Sequence, residues 1–277
     1  MNQVVLINGE ELSEVSIFSR NFQFGDGLFE TCIGRDGKIL FWSKNFDRLN
    51  FGCEKLNINK ISESIWLHDI KRALNLFTKK HFILKLILSR GNSLRGYGYK
   101  DDIEPTRVVI ISEMQKSKVN KVFSLEYSKS GYHSNPKLAG IKHCNRLEQI
   151  LARSSLSSNE AIMLDEKENV ISVTQGNIYF IFKNTLLTPK LDRCGVIGSR
   201  RSLILELARS IKLDAMESDI SMDQIQKADE VFISNSVIGI QPISSIEGNK
   251  LSLNPLTEKI QKAFYLKTQE VSSWTCP

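Results

Sequence analysis

"IKHCNRLEQILAR", residues 141–153, sets a lysine just ahead of a segment whose pattern predicts a helix. Asn145 with Glu148 three positions later reads as a capping box, and Leu147, Ile150 and Leu151 recur at the spacing of one buried helical face. Lys142, in the turn before that helix, is then either a solvated charge or an amine held for chemistry. The rest of the chain has to decide between the two.

Among 277 residues, 41% are hydrophobic and 25% charged, the composition of a globular protein long enough to bury a sizeable core in one or two domains. The opening "MNQVVLINGEELSE" carries no basic segment followed by an apolar run, and no later stretch has the length and apolarity to cross a bilayer. A cytoplasmic location without a membrane partner is expected. Cys32, Cys53, Cys144, Cys194 and Cys276 show neither metal-ligand spacing nor a CxxC pair, as fits a compartment where thiols stay reduced. The formal charge of +6 is dispersed, with no basic run interleaved with aromatics. That argues against nucleic acid and suits a small anionic substrate.

The pattern predicts an α+β chain in two domains, residues 1–115 and 122–277, with a cleft between them. In the first, "VVLING", "LFETCI", "KILFWS", "FILKLILSR" and "RVVIIS" read as strands, and 45–56 and "SESIWLHDIKRALNLF" as helices. Residues 114–121, "MQKSKVNK", are the linker candidate. The second domain holds the strands "VFSLEYS", "EAIMLD", "VISVT", "NIYFIF" and "EVFISNS". Its helices follow Lys142, cover "SRRSLILELARSI" and lie near "LTEKIQKAFYLK".

The four histidines lack metal-ligand spacing, and neither a GxSxG elbow nor a Walker loop is present, so serine-hydrolase, zinc and nucleotide chemistry fall away. "CGVIGSRRSL" sets two glycines just before a helix, where backbone N–H groups can cradle a phosphate. An ordinary strand-to-helix turn explains the same residues. "ISNSVIGIQP" ends a strand in Asn235 and Ser236, again a phosphate partner or a plain turn. Arg48, on the helical face of "NFDRLNFGCEKL", is a solvated cation or an anion fork.

In order along the chain, "FGDGLFET", "DRL", "SRGNSLRGY", "KHCNRLEQILAR", "TQGNIYF", "TPKLDRCGVIGSRR" and "ADEVFISNSVIGIQP" resemble the class IV aminotransferase family, the fold-type IV pyridoxal-phosphate enzymes. The family holds branched-chain and D-amino acid aminotransferases and aminodeoxychorismate lyases, and the motifs are nearer the lyase members. The resemblance implies a pyridoxal 5'-phosphate enzyme with its cofactor in the interdomain cleft, and a homodimer. By it, Lys142 matches the lysine that forms a Schiff base with the cofactor, and Arg48 the phosphate-binding arginine. The backbone at Ser199 and Arg200 matches the phosphate-cradling helix start, Ser236 completes the phosphate site, and Asn177 joins the cofactor-binding set. Arg95 and Tyr97 would lie on the substrate side.

One position departs from the family. A glutamate five residues before the equivalent of Asn177 usually contacts the pyridine nitrogen, and here that position is Ser172. A hydroxyl can bond a neutral ring nitrogen but cannot stabilise a protonated one, which weakens the case for transamination. The first expectation is therefore a lyase forming 4-aminobenzoate and pyruvate from 4-amino-4-deoxychorismate. The alternatives are an aminotransferase for D- or branched-chain amino acids and a non-catalytic relative. Asn45, where many relatives have histidine, and Leu94, where glycine is common, are milder departures.

Overall fold

The structure, a computed structural model, describes residues 3–115, 123–154, 156–251 and 255–277. From residue 116 onward the linker candidate lies outside the described residues. The chain divides into two compact units: Met1–Lys116 with Ile141–Asn145 and Glu270–Pro277, and Ser117–Gly140 with Arg146–Gln269. Neither unit is a single run of sequence. Lys142 belongs to the first, although chain order had assigned it to the second domain.

The first unit is built on β1 (Gln3–Ile7), α1 (Arg20–Phe24), β2 (Gly27–Arg35), β3 (Lys38–Leu40), α2 (Trp42–Leu56), α3 (Glu63–Leu76), β4 (His81–Ser89) and β5 (Thr106–Glu113). Its sheet runs β1-β5-β4-β2-β3 and is completed at the β3 edge by a short strand, Trp274–Thr275. Strand alternation sends Phe82, Leu84, Leu86 and Leu88 of β4 inward, and Leu28, Glu30 and Cys32 of β2 likewise. Trp42, Leu49, Cys53, Trp66 and Ile70 of α2 and α3 are buried with them. The strand expected over "KILFWS" stops at Leu40. Phe41, with φ 52, turns the chain directly into α2, and its N–H donates to Ser273 O at 2.7 Å.

The second unit comprises β6 (Phe123–Tyr127), α4 (Leu147–Arg153), β7 (Glu160–Leu164), β8 (Val170–Val173), β9 (Asn177–Phe182), β10 (Thr185–Pro189), α5 (Arg201–Ser210), β11 (Asp214–Ser218), α6 (Met222–Ile225), β12 (Glu230–Asn235), β13 (Gly239–Ile246), β14 (Asn249–Lys250) and α7 (Pro255–Gln269). Among the described residues its sheet has the order β11-β10-β9-β12-β13-β6-β7-β8, with β14 paired to β13. Ile162, Val173, Ile178, Phe180, Val231, Ile233 and Ile243 form its main core. Pro255 suits the first helical position, where its missing N–H is no loss, and buried Glu230 accepts from Leu256 N–H at 2.9 Å and Thr257 N–H at 2.7 Å. No described helix is long and apolar enough to cross a membrane.

Candidate active site

Lys142 is fixed by strand pairing, not by a helix cap. Ile141–Asn145 lies antiparallel to β2. Leu28 bridges His143, Phe29 N–H donates to Lys142 O at 3.0 Å, and Cys144 N–H donates to Gly27 O at 2.9 Å. Gly25, at φ +67, passes so close that a Cβ there would sit 3.2 Å from Asn145 Cβ. The lysine Nζ is 4.2 Å from the centroid of the Phe29 ring, whose face attracts an ammonium.

The capping box read from Asn145 and Glu148 is absent. Arg146 occupies the N-cap position of α4 with no side-chain cap bond, and Glu148 accepts from His133 N–H at 3.1 Å. Leu147, Ile150 and Leu151 are 64%, 60% and 58% exposed, while Gln149 and Ala152 are buried. The periodicity located a helical face correctly but assigned it to the wrong side. Spacing alone does not say which side meets the core.

Arg48 projects from α2 onto Glu30. Its Nε donates to Oε1 at 2.7 Å and its Nη2 to Oε2 at 2.6 Å, a bidentate fork. Asn45 Nδ2 adds a bond to Glu30 Oε2 at 2.8 Å, and the carboxylate is almost fully buried. Burial works against the arginine's charge, but the adjacent Glu30 more than restores it and holds the guanidinium above its ordinary range. Phe29 and Glu30 are consecutive, so their side chains leave β2 on opposite faces. Lys142 is therefore set against one face of this strand and Arg48 against the other.

In the second unit, the turn from β8 to β9 packs on the loop leading into α5. Asn177 Nδ2 donates to Val196 O at 2.9 Å, and a Cβ at Gly198 would fall 2.0 Å from Asn177 Oδ1, so any side chain there would displace Asn177. Ser199 Oγ lies 3.3 Å from Ser236 Oγ, and Arg200 Nη1 donates to Ser199 Oγ at 3.2 Å. Two hydroxyls and a buried guanidinium thus meet at the N-terminal end of α5, where the helix dipole favours an anion. This donor set fits a phosphate. Arg201, by contrast, is absorbed structurally, bonding Glu217 Oε1 at 2.7 Å and Pro189 O. Asn235 shapes the turn presenting Ser236 by accepting from the N–H groups of Val237 and Ile238 at 2.9 and 2.8 Å.

Ser172, on β8, is buried. Its Oγ donates to Val173 O at 2.8 Å and lies 3.0 Å from Tyr132 Oη. Burial pushes the Tyr132 phenol up, so it is a neutral hydrogen-bond donor. Glu168, the acid four residues before Ser172, sits exposed in the β7–β8 turn with φ 61 and does not stand in for the missing carboxylate. Arg95 and Tyr97 lie on the exposed loop between β4 and β5.

Sequence reading missed Phe29, Glu30 and Tyr132. Glu30 was legible in principle, because an acid alternating with Leu28 and Cys32 occupies a core position and needs a partner. Tyr132 gave no signal, being forty positions from Ser172 along the chain.

The family model for amino-transferase class IV matches residues 27–246. An aminodeoxychorismate lyase of Vibrio harveyi is 29% identical over 268 residues, which are 92% of this chain and 97% of that protein. A solved 4-amino-4-deoxychorismate lyase from Pseudomonas aeruginosa superposes with a TM-score of 0.86 at 32% identity, covering 94% of this chain and 97% of its own. The branched-chain aminotransferase of the thermophilic archaeon Thermoproteus uzoniensis, solved with norvaline, gives a TM-score of 0.86 at 20% identity over 98% of each chain.

Proposed function

Because the chain belongs to the class IV aminotransferase family, whose enzymes depend on pyridoxal 5'-phosphate, we propose that it is a lyase converting 4-amino-4-deoxychorismate to 4-aminobenzoate and pyruvate. The observation that carries the reading is Lys142, an amine whose own carbonyl and the next two residues are paired with β2. The two lyase relatives, matched nearly end to end, support the choice of substrate.

When bound, pyridoxal phosphate supplies an electron-withdrawing ring that acidifies the C–H bond beside the substrate's amine. In this reading Lys142 is the residue that would hold the cofactor through its aldehyde, and its amine would be the base for that proton. The Ser199 and Ser236 hydroxyls, Arg200 and the start of α5 would bind the phosphate; Arg48, which the family resemblance adds as a further cation, has its Nε and Nη2 engaged by Glu30. Asn177 shapes the cradle through its bond to Val196 O. Loss of the enolpyruvyl oxygen with its bonding electrons aromatises the ring, so much of the driving force lies in the substrate. Ser172 supports elimination over amino transfer, since a hydroxyl offers the ring nitrogen no negative charge.

The proposal includes a homodimer acting in the cytoplasm on a small anionic substrate, supported for location by five free cysteines. Purified protein loaded with pyridoxal phosphate and given aminodeoxychorismate should release 4-aminobenzoate and pyruvate in equal amounts. Borohydride reduction followed by peptide mapping should label Lys142. A labelled lysine with amino transfer to a 2-oxo acid and no 4-aminobenzoate favours the aminotransferase reading, while no label removes both.

A further inference from the structure

The loop after β4, "NSLRGYGYK" at 92–100, has no regular structure, contains two glycines and is exposed along most of its length. A segment like this loses much backbone entropy when held in one shape. The start of the loop is tied down by a bridge between Asn92 and Ser19 and by Ser93 N–H donating to Phe18 O at 3.0 Å, and its turn is held by Arg20, which opens α1 and is only 3% exposed.

The guanidinium of Arg20 gathers the loop from inside. Nη1 donates to Ser93 Oγ at 2.9 Å, to Gly98 O at 3.1 Å and to Gly96 O at 3.2 Å, and Nη2 donates to Tyr97 O at 2.8 Å. Nε is fixed on Asp26 Oδ2 at 2.8 Å, and the plane lies 5.2 and 5.4 Å from the ring centroids of Phe24 and Tyr99. Arg90 shares Asp26, reaching Oδ2 at 2.8 Å and Oδ1 at 3.1 Å, and lies 3.8 Å from the Tyr99 centroid. Burial tends to raise the Asp26 carboxyl, but the two arginines prevail and hold it below the usual carboxylate range. Two buried cations on one anion is an expensive arrangement unless neutral acceptors take up the remaining donors. Here the carbonyls of three consecutive loop residues do so for Arg20, and those of Leu56 and Asn57, each at 2.7 Å, do so for Arg90.

With those carbonyls turned inward, the Leu94 and Tyr97 side chains are 82% and 84% exposed, and Arg95 is exposed beside them. The loop thus presents a guanidinium and a phenol from a backbone whose turn is gathered on one buried guanidinium. We propose that Arg20 is a positioning residue for ligand recognition, holding Ser93–Gly98 in the shape in which Arg95 and Tyr97, the pair that the family resemblance sets on the substrate side, meet a carboxylate of the substrate. The identity of that substrate, which carries two carboxylates, rests on the lyase reading. The positioning claim does not.

The test compares holoenzyme of wild type, Arg20→Gln, Arg20→Lys, Ser93→Ala and Arg95→Ala. Trypsin cleavage of the Arg95–Gly96 bond, followed by mass spectrometry, should be about tenfold faster in Arg20→Gln and intermediate in Arg20→Lys. Ser93→Ala, which removes one acceptor and leaves Asp26 paired, guards against simple misfolding and should speed cleavage about twofold. KM for aminodeoxychorismate should rise about tenfold in Arg20→Gln and in Arg95→Ala, with kcat within about twofold of wild type. Equal cleavage rates in wild type and Arg20→Gln overturn the positioning claim, and an unchanged KM in either variant overturns the link to ligand. Wild type that neither turns over substrate nor binds 4-aminobenzoate removes the lyase reading and the ligand named here. The cleavage ratio still decides what Arg20 does.

Discussion

Tyr132 Oη lies 3.0 Å from Ser172 Oγ, and the serine donates its own proton to Val173 O. Tyr132 must therefore be the donor within the pair, and each hydroxyl depends on the other while both are buried. A double-mutant cycle of Tyr132→Phe and Ser172→Ala should give a coupling of about 1 kcal/mol in urea denaturation. Additive losses would mean that the two hydroxyls are adjacent without interacting.

Glu30 and Arg48 form a buried fork on the inner face of β2. Glu30→Gln removes the carboxylate that compensates the buried guanidinium, leaving its charge without that counter-ion. Stability should fall by about 3 kcal/mol, read from the urea midpoint at constant slope. A loss below about 0.5 kcal/mol, typical of surface pairs, would contradict the burial seen here.

Gly198 allows Asn177 to lie against the loop entering α5. Gly198→Ala places a methyl where Asn177 Oδ1 now sits and breaks the bond to Val196 O. The folded state should lose about 1–3 kcal/mol from the steric conflict. Affinity for pyridoxal phosphate, measured by fluorescence titration, should drop about tenfold as the cradle opens. Retention of wild-type affinity would detach this loop from phosphate binding.

Alkaline solutions should weaken the fold through buried acids. Desolvation pushes Cys53 up to about 11, Cys194 up to about 12 and Tyr179 up to about 12. A folded value above the unfolded one gives a contribution that is complete below the unfolded value, about 8.5 for a thiol, and is lost as pH rises toward the folded one. The urea midpoint should hold near neutrality and fall between about pH 9 and about pH 11, each thiol contributing up to about 1.4 kcal/mol per pH unit. Alanine at both Cys53 and Cys194 should flatten that limb. A midpoint that stays constant through this range would show that the thiols are reached by water.

Strong alternation and long apolar stretches made most elements legible. β2, β4 and β5, α3, the strands β6 to β9 and β12 of the second sheet, and α5 all lie where the pattern put them. α4 was found, but its exposed apolar face was not, because periodicity carries no information about what lies opposite. β10, β11 and β13 went unread because their segments mix polar and apolar residues, and pairing holds them: β10 on β9, β11 on β10 and β13 on β12. Of the candidate site, the residue types at Lys142, Arg48 and Ser199 to Arg200 were legible as motifs. Their immediate partners, Phe29, Glu30 and Tyr132, come from distant stretches and needed the fold.

The strand Trp274–Thr275 closes the edge of a sheet whose other members all precede residue 114. A ribosome releases nearly the entire second unit before it can deliver that strand, so the first unit waits with the outer edge of β3 unpaired while the second has its sequence available. Order of synthesis and order of completion are thus inverted in this chain. The exposed β3 edge is the place where a nascent molecule is most open to pairing with a neighbour.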